Sequence, residues 1–448
     1  MRSNRSRRRT LSPAKVIALS FGITGLIGTL LLWLPWSHAT GENLTLLDAL
    51  FTASSALCVT GLIVVDTGTA WSPFGQTVIM ILIQLGGLGL VTFGTLFALA
   101  LGRRVGFGER MRVAEQVKAF QVGGVVKLVR NIFLLSFGME LIGAALLYPA
   151  FAAQEGAGAG AFYALFHSVS AANNAGFAFY SDSLSRFVGD PLVNLTITSL
   201  FILGGLGFIV QINLIGYVRN RRQNRLTLHT KIVLTVTAVL CALGFVVVAL
   251  LEWTNPATLG ELPLSAKLWG AFFQGVTPRT AGFNTLDIGA MENPTLIFTM
   301  LLMFIGGSPG STAGGIKTVT FFVLAASAWS LVRGYGELTI FGRRVSTETA
   351  LKADTVVLLS SGIVILALLI LSITESIGLL SLVFETMSAF GTVGLSVGAT
   401  GELSTVGQLI VIVLMYLGRI GPMTFALAIA QEPHEGEIKH PKEDVLIS

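Results

Sequence analysis

Charge is scarce in this 448-residue sequence. Asp, Glu, Lys and Arg make up only 12% of it, about half the share usual in soluble domains. That scarcity argues against a conventional water-exposed surface. Cysteine is nearly absent: Cys58 and Cys241 both sit in apolar surroundings, which excludes a disulfide framework or a thiolate metal site. No nucleophile with a base, no metal-ligand cluster and no phosphate-binding glycine loop occurs, which argues against an enzyme, membrane-embedded or not. His167 stands alone in an apolar stretch and is read as packed rather than catalytic. The net charge of +5 is spread over short connections rather than gathered in a basic domain, so nucleic acid is excluded as a partner.

Apolar length is abundant. Hydrophobic residues make up 53% of the chain, and the mean hydropathy is +0.77. Eight apolar runs approach the roughly 20 residues that cross a bilayer. The expected fold is an all-α polytopic membrane protein in a lipid bilayer.

Between those runs lies a shorter stretch that recurs. Asp48 to Leu62 reads DALFTASSALCVTGL, Tyr163 to Phe177 YALFHSVSAANNAGF, Trp269 to Phe283 WGAFFQGVTPRTAGF and Ser381 to Leu395 SLVFETMSAFGTVGL. Without gaps, Phe51, Phe166, Phe272 and Phe384 align, and so do Gly61, Gly176, Gly282 and Gly394, spaced by 115, 106 and 112 residues. Such regularity predicts four equivalent units. Each is a span, a re-entrant pore helix ending in a glycine turn, and a closing span: eight transmembrane helices and four pore helices around one central pore. The boundaries expected are a basic tail at 1–12, units at 13–101, 102–218, 219–332 and 333–430, and a tail at 431–448. The closing spans are read as Gln76 to Leu101, Val193 to Val218, Pro294 to Val332 and Val406 to Ala430. GGLG at 86–89 and 204–207 is read as close packing between helices.

Lysine and arginine concentrate in the linkers between units, including Arg103, Arg110, Arg222, Arg225, Lys231, Arg343 and Arg344, whereas Asp and Glu dominate the loops within units. The positive-inside rule then puts linkers and both termini in the cytoplasm.

A glycine turn at membrane depth leaves main-chain carbonyls unpaired, which is tolerated only inside protein or along a water-filled cavity. Four such turns about one axis would present rings of carbonyl oxygens able to replace the hydration shell of a large monovalent cation. The candidate filter is therefore Cys58, Val59, Thr60 and Gly61; Asn173, Asn174, Ala175 and Gly176; Arg279, Thr280, Ala281 and Gly282; and Gly391, Thr392, Val393 and Gly394. No covalent cofactor is expected. An alternating-access secondary cation transporter is the alternative, but it predicts inverted repeats, and these four share one orientation.

CVTGL, NNAGF, TPRTAGF and GTVGL, with FIGGSPGSTAGGIK and GRIGP, resemble the Trk/Ktr/HKT superfamily of potassium transporters, and among them the Ktr-type membrane subunits, over about residues 13 to 430. The resemblance implies potassium as the transported ion, one pore per subunit, a homodimer in a bacterial plasma membrane, and regulation by a cytosolic RCK-type ring that carries the nucleotide. It departs at Cys58, where relatives usually have Thr. In plant relatives, serine at the first glycine accompanies sodium preference. The family's intramembrane gating loop corresponds here to 305–317, whose Gly306, Gly307, Ser308, Pro309, Gly310, Ser311, Thr312, Ala313, Gly314, Gly315 and Lys317 cannot sustain a helix. Arg419 lies in an apolar run, where an arginine costs about 3 kcal/mol on insertion scales. Gly306 and Gly418 each follow their filter glycine by 24 residues, so Arg419 is expected level with the loop, donating to its carbonyls.

Overall fold

The computed structural model describes residues 13–89, 124–334 and 337–424, together with positions 92, 95, 110, 111, 113 and 114. The tails at 1–12 and 425–448, and most of the first linker, lie outside the described residues. The fold is helical. Each of its four segments opens with a long apolar helix: α1 (Pro13–Trp33), α4 (Val125–Glu155), α8 (Leu228–Glu252) and α12 (Thr347–Thr374). Among the described residues these four are individually long and apolar enough to cross a membrane. Their outer faces expose leucine and isoleucine, for example Leu26, Leu141, Leu250 and Leu358, as a lipid-facing surface requires.

A short helix follows each: α2 (Leu46–Cys58), α5 (Ala157–Ala172), α9 (Leu264–Val276) and α13 (Leu379–Gly391). Thr45 caps α2 through a reciprocal pair with Asp48, so the helix begins where its orphan N–H groups are met.

The sequence reading places one break in the closing spans, at 305–317 in the third; in the structure the helices of the other three also end early, at a glycine. The closing elements are α3 (Pro73–Leu88), α6 (Pro191–Leu206) followed by α7 (Phe208–Arg219), α10 (Asn293–Phe304) followed by α11 (Thr318–Val332), and α14 (Thr405–Ile420). A 16-residue helix is about 24 Å long, short of the hydrocarbon core. Three of these elements end at a glycine of nearly one conformation: Gly89 (φ 82°, ψ 132°), Gly207 (91°, 138°) and Gly421 (90°, 135°). At Gly207 the chain turns by 103° between α6 and α7. A positive φ with an extended ψ is open to glycine and costly to other residues, so the break is encoded at that one position. The third closing element is interrupted instead by 305–317.

The apolar core links the segments in a circle. Phe166 and Phe177 pack with Leu32, Trp71 and Ile83 of the first segment. Phe273 and Phe283 pack with Phe201 and Ile197 of the second. Phe384 and Leu395 join Val248 and Met300 of the third, and Phe51 and Leu62 join Val411 and Met415 of the fourth. In lipid, where apolar surface gains little by leaving the bilayer, this interlock holds by dispersion and close fit. One aromatic departs from the alignment: Phe273, not the aligned Phe272, is the fully buried ring. A two-stranded hairpin, β1 (Thr339–Ile340) and β2 (Arg343–Arg344), connects α11 to α12.

Candidate functional site

The four glycine stretches share a backbone beyond their glycines. Gly61, Gly176, Gly282 and Gly394 have φ of 91°, 71°, 78° and 92°. The residue two places before each is also left-handed: Val59 (57°), Asn174 (59°), Thr280 (70°) and Thr392 (50°). A β-branched residue in that region is a genuine outlier, held only where the surroundings overdetermine it.

The stretches close into a ring. A Cβ on Gly61 would strike the carbonyl oxygen of Ala175 and approach Gly176 Cα at 3.1 Å. On Gly176 it would meet Gly282 Cα at 2.8 Å and Ala281 O at 3.1 Å. On Gly282 it would meet Val393 O at 2.5 Å, and on Gly394 it would strike Thr60 O and reach Gly61 Cα at 3.0 Å. Each glycine thus faces the carbonyl that precedes the next glycine: Ala175, Ala281, Val393 and Thr60. Main-chain bonds fix three of the turns alike. Thr60, Ala175 and Val393 donate to the carbonyls of Ser55, Ser170 and Ser388 at 2.8, 2.8 and 2.9 Å. Gly61 and Gly394 add N–H bonds of 3.1 Å to the hydroxyls of Ser55 and Ser388. The third turn differs, with Ala281 donating to Thr277 O at 3.0 Å and the Thr277 hydroxyl to Phe283 O.

Side chains three places before the glycines turn away from the ring into the scaffold. Cys58 is buried in an apolar cluster. Arg279 reaches Cys241 Sγ and Thr237 Oγ1, each at 3.5 Å. Asn173 donates to Gln84 Oε1 at 2.9 Å and to Glu140 Oε1 at 3.3 Å. The side chains of Asn173 and Arg279 are thus engaged by the surrounding helices, and that of Cys58 is buried among apolar neighbours. Glu140, buried on α4, gathers Gln84, Ser136 and Asn173. Sequence reasoning missed it, although an acidic residue within an apolar run is a signal in its own right.

Two aligned side chains, His167, which is read from the sequence as packed, and Glu385, which the sequence reading does not single out, tie the segments after the glycines back to the short helices. His167 Nδ1 lies 2.7 Å from Tyr163 O; a carbonyl only accepts, so Nδ1 carries the proton and Nε2 accepts the Phe179 N–H at 3.3 Å. Glu385, at the aligned position on α13, accepts the Val397 N–H at 3.2 Å and the hydroxyls of Ser396 and Thr400 at 2.5 and 2.6 Å. Phe179 and Val397 each lie three residues past their glycine. His167 is thus a packed, hydrogen-bonded tether. Glu385→Ala would orphan three donors and should cost about 1–3 kcal/mol for each one left buried. Its thermal unfolding midpoint in detergent should fall clearly below wild type, with Glu385→Gln in between.

The interruption at 305–317 is tightly held rather than slack. Gly306 donates to Ile316 O at 2.9 Å and Thr318 to Gly307 O at 3.0 Å, which pinches its two ends together. Lys317 Nζ bonds Ala313 O and Gly314 O at 2.7 and 3.2 Å, closing the loop on itself. The loop lies against the left-handed residues of the ring. Thr312 donates to Asn174 Oδ1 at 2.9 Å, Asn174 donates on to Thr280 Oγ1 at 3.4 Å, and a Cβ on Gly314 would strike the Thr392 side chain.

The GG motifs do more than pack. Gly86 and Gly204 do abut the carbonyls of Leu57 and Ala172, as close-packing glycines would, and Gly418 abuts Phe390 O in the same way. They also stand at broken helix ends, whose last carbonyls lack helical partners. Gly205 O and Gly204 O accept the loop N–H groups of Ser308 and Thr312 at 2.9 and 3.3 Å. Arg419 serves the corresponding carbonyls of α3: Nη2 bonds Gly86 O and Gly87 O (the latter at 3.3 Å), while Nη1 bonds Thr312 O of the loop. One guanidinium, with its planar fork of donors, joins two broken elements.

Residues 3–439 match the family model described as TrkH, a cation transport protein. The Ktr system potassium uptake protein B of Bacillus subtilis (strain 168) is 49% identical over 97% of this chain and 96% of its own. The potassium/sodium uptake protein NtpJ of Enterococcus hirae is 38% identical over 98% of each. The crystal structure of the potassium transporter TrkH from Vibrio parahaemolyticus superimposes with a TM-score of 0.75 at 19% identity, covering 96% of this chain and 87% of that one, which establishes a common fold. With the family matched along nearly its whole length, and that fold shared, the chain belongs to the TrkH family of cation transport proteins, which are not enzymes.

Proposed function

We propose that this chain is the ion-translocating membrane subunit of a potassium uptake system, and that potassium passes along the axis of the glycine ring. The observation that carries the reading is the closed ring itself. Four left-handed glycines each face the carbonyl that precedes the next glycine, so the four stretches meet main chain against main chain. Carbonyl rings replace the hydration shell of a monovalent cation. The four segments act as span–pore-helix–span units, and the broken closing helices, the loop 305–317 and Arg419 form the gate. Both termini lie in the cytoplasm of a bacterium, and potassium is the cargo. Two relatives are named for uptake of potassium, or of potassium and sodium, which supports the cation class. Potassium-driven flux in proteoliposomes containing the purified chain, compared with sodium at equal gradient, tests the reading; equal flux of both ions would overturn the selectivity.

The proposed assembly is a homodimer under a cytosolic ring of RCK type that binds the nucleotide. Purified alone in liposomes, the chain should pass potassium at a rate insensitive to added nucleotide, and addition of the ring should restore nucleotide control. Full nucleotide-controlled flux from the isolated chain would rule the partner out.

A further inference from the structure

Beside the hairpin between α11 and α12, and outside the ion path, two cavities meet. The first, of about 320 Å³, is lined by Arg225, Lys231 and Arg343 with Tyr217, Leu228 and Phe341. The second, of about 720 Å³, is a largely apolar groove along one face of α11, with Phe322, Ala326 and Trp329 on one wall and Leu338, Ile340 and Phe341 on the other. Phe341 lines both.

The basic cavity is built rather than incidental. Asn213 holds the α7–α8 connection around it, donating to Arg225 O at 3.3 Å and accepting from Thr227 N and the Thr230 hydroxyl at 3.1 and 2.8 Å. Among the described residues no carboxylate pairs with Arg225, Lys231 or Arg343, whereas Glu337, on the apolar groove, is taken up by Arg344 at 2.8 Å. Phe341 and Gly342 form a two-residue turn with φ of 48° and 72°. The first position of such a turn favours Asn, Asp or Gly, so a phenylalanine there is held against its backbone preference. Its ring stays half-exposed at the junction. Trp329, which lines the groove, and Leu331 and Val332 at the end of α11 are exposed, and Arg333 lies 4.8 Å from the Trp329 ring, an aromatic and cationic rim of the kind found where a membrane meets water.

We propose that these cavities together form a binding site for one anionic phospholipid, with the headgroup phosphate among Arg225, Lys231 and Arg343 and an acyl chain in the groove beneath Phe341. The charge of the basic cavity and the apolar groove that shares Phe341 with it match the two ends of an amphipathic anion. Basic pockets at the cytoplasmic ends of membrane helices take anionic headgroups in this way.

Native mass spectrometry of the detergent-solubilised chain, titrated with phosphatidylglycerol or with phosphatidylcholine of the same acyl chains, tests the site. Phosphatidylglycerol should be retained in preference, and the preference should drop about fivefold for each cation removed in Arg225→Gln and Arg343→Gln. Lys231→Arg, which keeps the charge, should retain it and shows that the region still folds. Phe341→Ser should weaken both lipids together while leaving their ratio unchanged. Equal retention of the two lipids, or an undiminished preference in the double variant, overturns the proposal. So does binding of inorganic phosphate as strong as that of phosphatidylglycerol and indifferent to Phe341→Ser, which would mark a free-anion site. None of these readouts depends on potassium flux, so the lipid site stands or falls apart from the ion path.

Discussion

Gly61→Ser should lower discrimination of potassium over sodium by about tenfold or more, a change of about 1.4 kcal/mol in relative ion stabilisation. The expectation follows from two separable effects. The first is strain: φ at Gly61 is 91°, where a side chain costs about 1–2 kcal/mol. The second is collision: the new Cβ would overlap Ala175 O, one of the four carbonyls facing a ring glycine. That oxygen would be displaced, and a displaced carbonyl no longer matches the shell of the larger ion. Gly41→Ser separates the two effects. Gly41 has φ of 92° but open space around its Cβ position, so it carries the strain without the collision. It should leave the ion ratio unchanged. Uptake of both ions measured in a potassium-transport-deficient host, at matched protein levels, reads the difference. If Gly61→Ser assembles normally and keeps the wild-type ratio, Gly61 does not shape the ion path.

Deleting Ser308 to Ala313 should raise partner-independent potassium flux by about tenfold or more, with selectivity retained. The deletion removes the Thr312 bond to Asn174 and the loop bonds to Gly204 and Gly205, a few hydrogen bonds worth roughly 0.5–1.5 kcal/mol each. A partner that binds open and closed states with different affinity has only a difference of that size to overcome. Arg419→Ala should raise flux as well, and it should also destabilise the protein, because Gly86 and Gly87 lose a charged donor. Arg419→Lys keeps the charge but lacks the planar fork, so it should hold either Thr312 O or the α3 carbonyls rather than both, and its flux should lie between. Proteoliposome flux at matched incorporation, with melting followed in parallel, reads both consequences. Wild-type basal flux in the deletion and in Arg419→Ala, with assembly intact, would make the loop a structural interruption and Arg419 a helix-end cap.

Part of this site was legible in the sequence because its chemistry leaves no substitute. A residue that must take a positive φ against a neighbouring backbone has to be glycine, so Gly61, Gly176, Gly282 and Gly394 stood out at constant register. An arginine in an apolar run must find acceptors, so Arg419 pointed to the loop carbonyls. The run of Gly, Ser and Pro at 305–317 could not be helix.

What only the tertiary structure decided is what distant contacts impose. Val59, Thr280 and Thr392 have no local preference for the left-handed region; packing around the ring forces them there, and no residue code announces it. Gly89 and Gly207 looked like ordinary packing glycines of membrane helices and Gly421 stood only within the GRIGP motif; their φ and ψ reveal three helix ends of one conformation. The second role of Arg419, on Gly86 and Gly87, joins residues more than 300 positions apart, beyond any local pattern. Glu140 and Glu385 were visible as charges in apolar stretches, but their tasks depend on which main-chain and side-chain donors the fold brings to them. Local sequence determined where the backbone was free to depart from helix. The neighbouring segments determined which departure it took, because each turn of the ring is shaped by the carbonyl of the next.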